Sequence, residues 1–400
     1  MVATAASAAS TTAMAGQERY DVAVIGAGVF GAWTAHHLQR AGKRVILIDA
    51  WAPAHARASS GGESRLTRTA YGGDDVYTRF AWDSLPQWKW LSARAGLPVF
   101  HETGVLFFFA EKEPYVDQTM EAHARLKLPT SLLRGPELKR KFPQVDWTGI
   151  DWGIWEPKLG ALMARRAVQT LAELFVRAGG TYLQAAIEPP VPGERLTAIR
   201  TSDGRQITAG QYCFACGPWL PKVFPDVLGD RIFVTRQEIY FFAPEPGDPR
   251  YGLGHLPGWA DFNQGNLWYG FPDLEGRGFK IANDQHGPPM DPDTGDRTPS
   301  PSGLADAKAY VARRFPGMAR RPLSESRVCQ YENSSSGDFL IDRHPRWANV
   351  LMLGAGSGHG FKHGPAVGEA AAAMLLDPGK RPEPRFSLAT KAAVQARAVH

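Results

Sequence analysis

The sequence predicts an α/β protein of two domains, and three observations predict it. Residues 20–50 read as a strand, a glycine turn, a helix and a second strand that ends in an acid. Near the far end of the chain another apolar strand, Val350-Leu-Met-Leu353, runs into a second glycine-rich turn. Between them, residues 230–285 read as strands joined by turns, which suits an inserted, mainly antiparallel sheet better than further strand-helix repeats. At 400 residues the chain also exceeds what one hydrophobic core usually serves.

Residues 1–16 are mostly Ala, Ser and Thr, with neither a basic nor a sustained apolar region, and are expected to be a disordered extension. The run Asp21–Ile25 is apolar enough for a buried parallel strand. Gly26 then permits a tight turn, Gly28 lets backbone approach a pyrophosphate, and Gly31 lets the following helix pack close to the strand. The helix opens at Val29 and Phe30, where free N–H groups would receive that pyrophosphate. Asp49 follows Gly31 by eighteen residues, near the spacing of about 20 expected for a carboxylate that accepts a ribose hydroxyl. An acid there argues against a 2′-phosphate. The motif leaves FAD and NAD both open.

A polar loop, residues 58–71, carries Arg65 and Arg68 where a connection should pass the bound dinucleotide. Val76–Ala95 reads as a Trp-rich helix that Pro86 should kink or divide, and His101–Ala110 as a strand. Leu162–Arg177 reads as a helix stopped by Gly179 and Gly180, followed by strands at Leu196–Thr201 and Gln211–Ala215. The second strand leads to Gly217, whose lack of a side chain lets the strand end lie against a ligand. Cys213 and Cys216 have zinc-ligand spacing without a second pair, so buried thiols and no metal are expected. Strands at Arg231–Phe242 and Leu267–Phe271, a loop at Gly287–Gly303 and a helix at Ala305–Phe315 come next, then strands at Arg327–Tyr331 and Phe339–Asp342. The second glycine turn reads either as another nucleotide site or as the place where the far end of one long cofactor is held. A single ribose-binding acid favours one long cofactor.

A net charge of +5, dispersed along the chain, does not suggest a nucleic-acid partner. The longest apolar runs, such as Val105–Ala110, have strand length, so no membrane partner is expected. Three cysteines suit a reducing compartment, and the expectation is cytoplasmic.

Six ordered motifs then carry a resemblance that covers Tyr20–Arg381. They are the N-terminal fingerprint, residues 62–72, Tyr269-Gly-Phe-Pro272 with Lys280, Val328-Cys-Gln-Tyr331, Asp338-Phe-Leu-Ile-Asp342 and Gly356-Ser-Gly-His-Gly-Phe-Lys362. Together they resemble the monomeric sarcosine oxidase and N-methyltryptophan oxidase group of the D-amino-acid-oxidase-like flavoenzymes. The resemblance implies FAD, joined covalently through Cys329, in a Rossmann-like domain formed by 17–99, 152–229 and 336–390. It also implies a substrate domain formed by 100–151 and 230–335, with 391–400 as a tail. Arg327 beside Cys329 would favour the thiolate that such a link requires.

By the same resemblance Arg65 and His359 lie beside the flavin, Lys280 activates O2, and Tyr269 and Tyr331 line the substrate pocket. Arg68 and Lys362 hold a substrate carboxylate, with Lys362 also near the cofactor. Gly26, Gly28, Val29, Phe30, Gly31, Asp49, Ser64, Arg65, Gly217, Gly358, Gly360 and Phe361 contact FAD. The implied reaction oxidises the C–N bond of a secondary or N-methyl amino acid, with O2 reduced to hydrogen peroxide, by a monomer. Its rivals are a dehydrogenase or biosynthetic oxidase of a cyclic imino acid, and a flavin-binding protein without turnover. One departure stands out: Asp284 lies where sarcosine oxidases carry a histidine, and an acid there changes the charge of the pocket. Trp268, Trp82, Trp88 and Trp90 are candidates for lining a larger pocket or for packing.

Overall fold

The computed structural model describes residues 19–191, 193–263 and 267–394, so the extension expected at 1–16 and the end of the tail expected at 391–400 lie outside the described residues. The chain begins with β1 (Arg19–Ile25), α1 (Val29–Arg40), β2 (Val45–Asp49), β3 (Ser64–Thr67) and α2 (Asp75–Ser92). It continues through β4 (Phe100–His101), β5 (Val105–Phe109), α3 (Pro114–Leu126), β6 (Ser131–Arg134), α4 (Gly135–Lys141), β7 (Trp152–Glu156) and β8 (Gly160–Met163). Then come α5 (Ala164–Arg177), β9 (Thr181–Gln184), β10 (Ala198–Arg200), β11 (Gln206–Phe214), the short helices α6 (Leu220–Val223) and α7 (Pro225–Leu228), and β12 (Ile232–Phe242). The remainder is β13 (Gly258–Asp261), β14 (Trp268–Phe271), β15 (Phe279–Asn283), α8 (Pro301–Arg314), β16 (Leu323–Ser334), β17 (Leu340–Arg343), β18 (Val350–Gly354) and α9 (Gly364–Leu376).

The first sheet runs β17-β18-β11-β1-β2-β9, with β10 paired to β11. Its strands from β18 to β9 pair in parallel, and β17 and β10 are antiparallel additions. Both faces of β1 are covered, which is why its sequence is a continuous apolar run. Val22 and Val24 join the core that holds Trp33 and Leu38 of α1, while Ala23 and Ile25 face the opposite core with Tyr212 and Phe214. Side chains of this size contribute roughly 1.5–3 kcal/mol each when fully buried.

The second sheet has eight strands in the order β16-β12-β15-β14-β13-β5-β7-β6, and every pairing in it except β13–β5 is antiparallel. Its long β12–β16 ladder sets Cys329 opposite Gln237, and β15 sets Lys280 between Phe241 and Phe271. A small antiparallel sheet, β3-β8-β4, carries Arg65 opposite Leu162.

Three expectations are corrected. Helix α2 runs undivided through Pro86, because Leu85, Trp88 and Leu91 are buried and their packing holds a turn that has lost one backbone hydrogen bond. Residues 152–156, assigned to the first domain, form β7 and pair with β5 and β6 in the second sheet. Leu162 and Met163 are the end of β8, so the helix that follows starts at Ala164.

Candidate active site

The ends of β1, β2, β11 and β18 open on a cavity of about 410 Å³ whose wall includes Gly26, Gly28, Val29, Phe30, Asp49, Arg65, Gly217, Gly358, Gly360 and Phe361. The turn after β1 can be built only with glycine at two points. Gly26 has φ +106°, and a Cβ on it would lie 2.2 Å from the Ala215 carbonyl oxygen. A Cβ on Gly31 would lie 1.9 Å from the Gly26 carbonyl oxygen. Gly31 therefore shapes the turn from inside the helix.

Helix α1 starts at Gly28 with no side-chain cap from that residue and no acid in its first turn. Its Val29 N–H donates to Ser60 Oγ at 3.1 Å. Such an end favours an anion through its free N–H groups and its dipole. Asp49 accepts from Ala27 N at 2.7 Å and Trp51 N at 2.9 Å, which fixes its carboxylate at the rim of the same turn. Trp51 stacks on His55 in the wall beside it. Dinucleotide chemistry fits this half: a glycine cradle, a helix start that Gly28 leaves without a side-chain cap and a fixed carboxylate share one cavity.

Beyond Arg65 the cavity meets a charged cluster. The Ser64 carbonyl accepts from both Arg65 Nη1 at 3.0 Å and Lys280 Nζ at 2.7 Å. Lys280 is 1% exposed, and burial, followed by the neighbouring Arg65 charge, holds its pKa well below the ordinary lysine range. Arg65 Nη2 donates to Ser59 O at 2.8 Å and reaches Cys329 Sγ at 3.7 Å. The cation at the thiol is thus Arg65, not Arg327, whose guanidinium is turned to Glu63 and Glu325.

Tyr331, in the wall, donates to Asp284 Oδ1 at 2.7 Å and lies 3.4 Å from the Tyr269 hydroxyl. Burial, then the Asp284 charge, pushes the Tyr269 hydroxyl up to about 12 and that of Tyr331 well above its usual value, so both stay protonated. Asp284 therefore joins the two predicted tyrosines.

Arg68 and Lys362 meet at Tyr71. The Arg68 guanidinium lies 4.0 Å from that ring's centre and donates to Ala70 O, while Lys362 Nζ lies 5.2 Å from the ring and donates to His359 O at 2.7 Å. The Tyr71 hydroxyl bridges His359 Nδ1 at 3.0 Å and His363 Nε2 at 2.8 Å. His359 Nε2 faces the Gly337 carbonyl, which requires a proton there and leaves Nδ1 to accept from Tyr71. His363 Nε2–H then donates to Tyr71. Burial, then Lys362 and Arg68, hold His363 well below its usual pKa and keep it neutral.

Behind Arg68, the buried carboxylate of Glu156 accepts from both the N–H and the hydroxyl of Thr69, whose carbonyl accepts from Thr78 and faces His123 Nε2. Tyr71, His363 and Glu156 were not anticipated. Tyr71 lies inside one of the motifs and His363 directly follows Lys362, whereas Glu156 arrives only through the pairing of β7. Of the predicted site residues, Gly31, Ser64, Arg68, Tyr269, Lys280, Cys329, His359 and Lys362 are not among those that line the cavity. The tryptophans pack: Trp88 stacks on Phe361 and donates to Lys362 O, Trp90 lies against Trp33 and His36, and Trp82 joins the core around Leu85. Trp268 stacks on Tyr310 on the face of β14 away from Tyr269.

A family model described as FAD dependent oxidoreductase matches residues 21–374. Monomeric sarcosine oxidase of Bacillus sp. (strain NS-129) is 31% identical over 367 residues, covering 90% of this chain and 94% of that protein. N-methyl-L-tryptophan oxidase of Yersinia pestis (strain Pestoides F) is 27% identical, covering 92% of this chain and 99% of that protein. Among solved structures, L-proline dehydrogenase from P. horikoshii superposes with a TM-score of 0.81 at 21% identity, covering 93% and 97% of the two chains.

Proposed function

Because this chain belongs to the family of FAD-dependent oxidoreductases, we propose that it oxidises the C–N bond of a secondary or N-methyl amino acid, with O2 as electron acceptor. Gly26, Gly28, the start of α1, Asp49 and the glycine turn at 356–360 would hold FAD, and Cys329, whose thiol Arg65 Nη2 reaches at 3.7 Å, would anchor it covalently. Bound FAD would supply the hydride acceptor and pass the electrons to oxygen, giving hydrogen peroxide.

The observation that carries the substrate class is the Arg68 site. Its guanidinium lies inside the molecule beside Tyr71, and among the described residues no carboxylate is ion-paired to it. Burial opposes its charge, yet Tyr71, Tyr115, Asp284 and Glu156 outweigh that opposition, so Arg68 stays cationic and attracts an anion. Lys362, on the same ring, adds a second positive charge for a substrate carboxylate. Asp284, with Tyr331 donating to it, offers an acceptor for the substrate's amine proton, and the reactive amine must be neutral. The low pKa of Lys280 makes Nζ a group whose proton follows the charge beside it, as oxygen activation requires. Trp88, through Lys362 O, and the histidine pair, through Tyr71, keep the two cations in register.

Screening N-alkyl and cyclic amino acids for peroxide release tests the reading. Arg68→Ala should lower kcat/KM at least about tenfold for an amino acid, and much less for the corresponding amine without its carboxylate. Equal losses on both would remove the carboxylate role. Turnover confined to an artificial acceptor would make the protein a dehydrogenase.

A further inference from the structure

Residues 287–300, between β15 and α8, are fixed at both ends to β12 of the second sheet. Arg236 N donates to Pro288 O at 2.9 Å and Met290 N to Val234 O at 3.0 Å, while Ser300 N donates to Glu238 Oε1 at 2.9 Å. The stretch between them leaves that sheet and reaches elements of the first. Asp293 O accepts from Arg57 Nη1 at 2.6 Å, its Oδ1 from Trp219 Nε1 at 2.7 Å and its Oδ2 from Lys222 Nζ at 2.6 Å. Asp291 Oδ2 meets the same ammonium at 2.7 Å. Trp219, Lys222 and Asp293 all belong to the cavity wall, so the crossing is made at the cavity. Arg57 marks where: its guanidinium lies 5.2 Å from the centre of the Trp51 ring, and Trp51 N donates to Asp49. The crossing therefore stands beside the acid expected at the ribose.

We propose that residues 291–295 are a strap that gates the cofactor cavity, held shut by Lys222 against Asp291 and Asp293, and that FAD enters and leaves when the strap is released. This rests on the cavity being the FAD site. A dinucleotide with its adenosine at Asp49 would lie under chain tied to both sheets, and contacts at hydrogen-bond distance leave it no gap between Asp293 and Trp219 or Lys222. Loops that close over a ligand in this way set the rates of its passage.

The strap is built to move as one piece. Asp291 Oδ1 accepts from Asp293 N at 2.8 Å and Thr294 N at 3.0 Å, and Gly295 N donates to Asp291 O at 2.9 Å, so its turn is closed by its own bonds. The fastening is ionic. Lys222, then the Thr294 and Asp293 amides, hold the Asp291 carboxyl below the usual carboxylate range. Burial opposes a charge on Asp293, but Lys222 and Trp219 outweigh it and hold that carboxyl low as well. All three side chains are 43–44% exposed, which leaves the pairs open to screening by salt.

The test follows FAD in the Cys329→Ala protein, in which flavin is exchangeable, by flavin fluorescence on binding and on release. Asp291→Asn with Asp293→Asn keeps the acceptor oxygens of the turn and removes the charges, and Lys222→Met cuts the same pairs from the other side. Each should speed entry and exit alike, by at least about threefold, with Kd almost unchanged. Raising salt from about 0.05 M to about 0.5 M should speed release from the parent and leave both variants unmoved. Lys222→Arg keeps the charge and should retain the parent rates. Faster release with unchanged entry, and so a weaker Kd, would make these residues plain cofactor contacts and overturn the gate. Parent rates in both variants would overturn it too, with the cofactor reading intact. Failure of the folded Cys329→Ala protein to take up FAD would overturn both. Circular dichroism of each variant shows whether it has folded.

Discussion

The Ser64 carbonyl accepts from both Arg65 and Lys280, so one buried oxygen ties Lys280 to the arginine that reaches Cys329. Lys280→Met keeps the length of the side chain and removes the proton-bearing nitrogen. Reoxidation by O2 should slow by about 10²-fold or more, the scale of losing one preorganised electrostatic group, while anaerobic flavin reduction by substrate changes far less. Stopped-flow measurement of the two half-reactions decides this, and a reoxidation rate within about threefold of wild type would take Lys280 out of the mechanism. At Cys329, acid precipitation should leave yellow colour in the wild-type pellet and none in that of Cys329→Ala. Flavin washing freely from the wild type would rule out the covalent link. Tyr71→Phe keeps the ring under Arg68 and removes the hydroxyl between His359 and His363. Its expected effect is a rise in KM with flavin content unchanged. That Arg65 and Arg68 lie in one motif was legible in the sequence, but the shared tyrosine ring and the shared carbonyl were not, because both depend on contacts between distant elements.

Among elements, the α1–α9 contact holds the helix that follows the dinucleotide turn. A Cβ on Gly368 of α9 would lie 2.6 Å from Trp33 Cβ and 2.8 Å from Thr34 N of α1. Backbone atoms cannot yield as a side-chain tip can, so Gly368→Ala must push the helices apart. We expect destabilisation of about 1–3 kcal/mol, seen as a lower Tm and weaker flavin retention. Gly31→Ala meets the Gly26 carbonyl inside the turn itself, so it should abolish flavin binding while much of the secondary structure survives. Retained stoichiometric flavin in that variant would show that the turn can relax. The helix α1 and strands β1 and β2 were readable because apolar period, glycine turn and terminal acid agree locally. Pro86 misled in the other direction: propensity alone splits α2, and the buried Trp88 and Leu91 hold it together.

At the scale of the whole molecule, the cavity is walled by strand ends of the first sheet and by Gln330, Tyr331 and Glu332 of the second. Bound FAD should therefore clamp the two sheets together. A ligand that binds only the folded state at a hundred times its Kd adds about 2.7 kcal/mol, so the holoprotein should melt several degrees above protein stripped of flavin. An unchanged Tm on full reconstitution would show that flavin does not bind the folded protein in preference to the unfolded chain. Among the described residues no helix is long and apolar enough to cross a membrane.

By itself the sequence determined the α/β class, the dinucleotide turn, the acid at Asp49 and the family, since each of these is encoded in contiguous residues whose spacing is their meaning. It also placed every predicted site residue in order along the chain. Only the tertiary structure decided which of them meet. Arg65, rather than Arg327, faces Cys329, because Glu63 and Glu325 draw Arg327 away. Asp284 reaches Tyr331 because β15 and β16 flank β12 in one sheet. Glu332 Oε2, buried where β11, β16 and β18 meet, has no hydrogen-bond partner among the described residues. Such contacts join residues far apart in sequence, and what selects them is the burial and charge balance of the assembled core, which no local pattern contains.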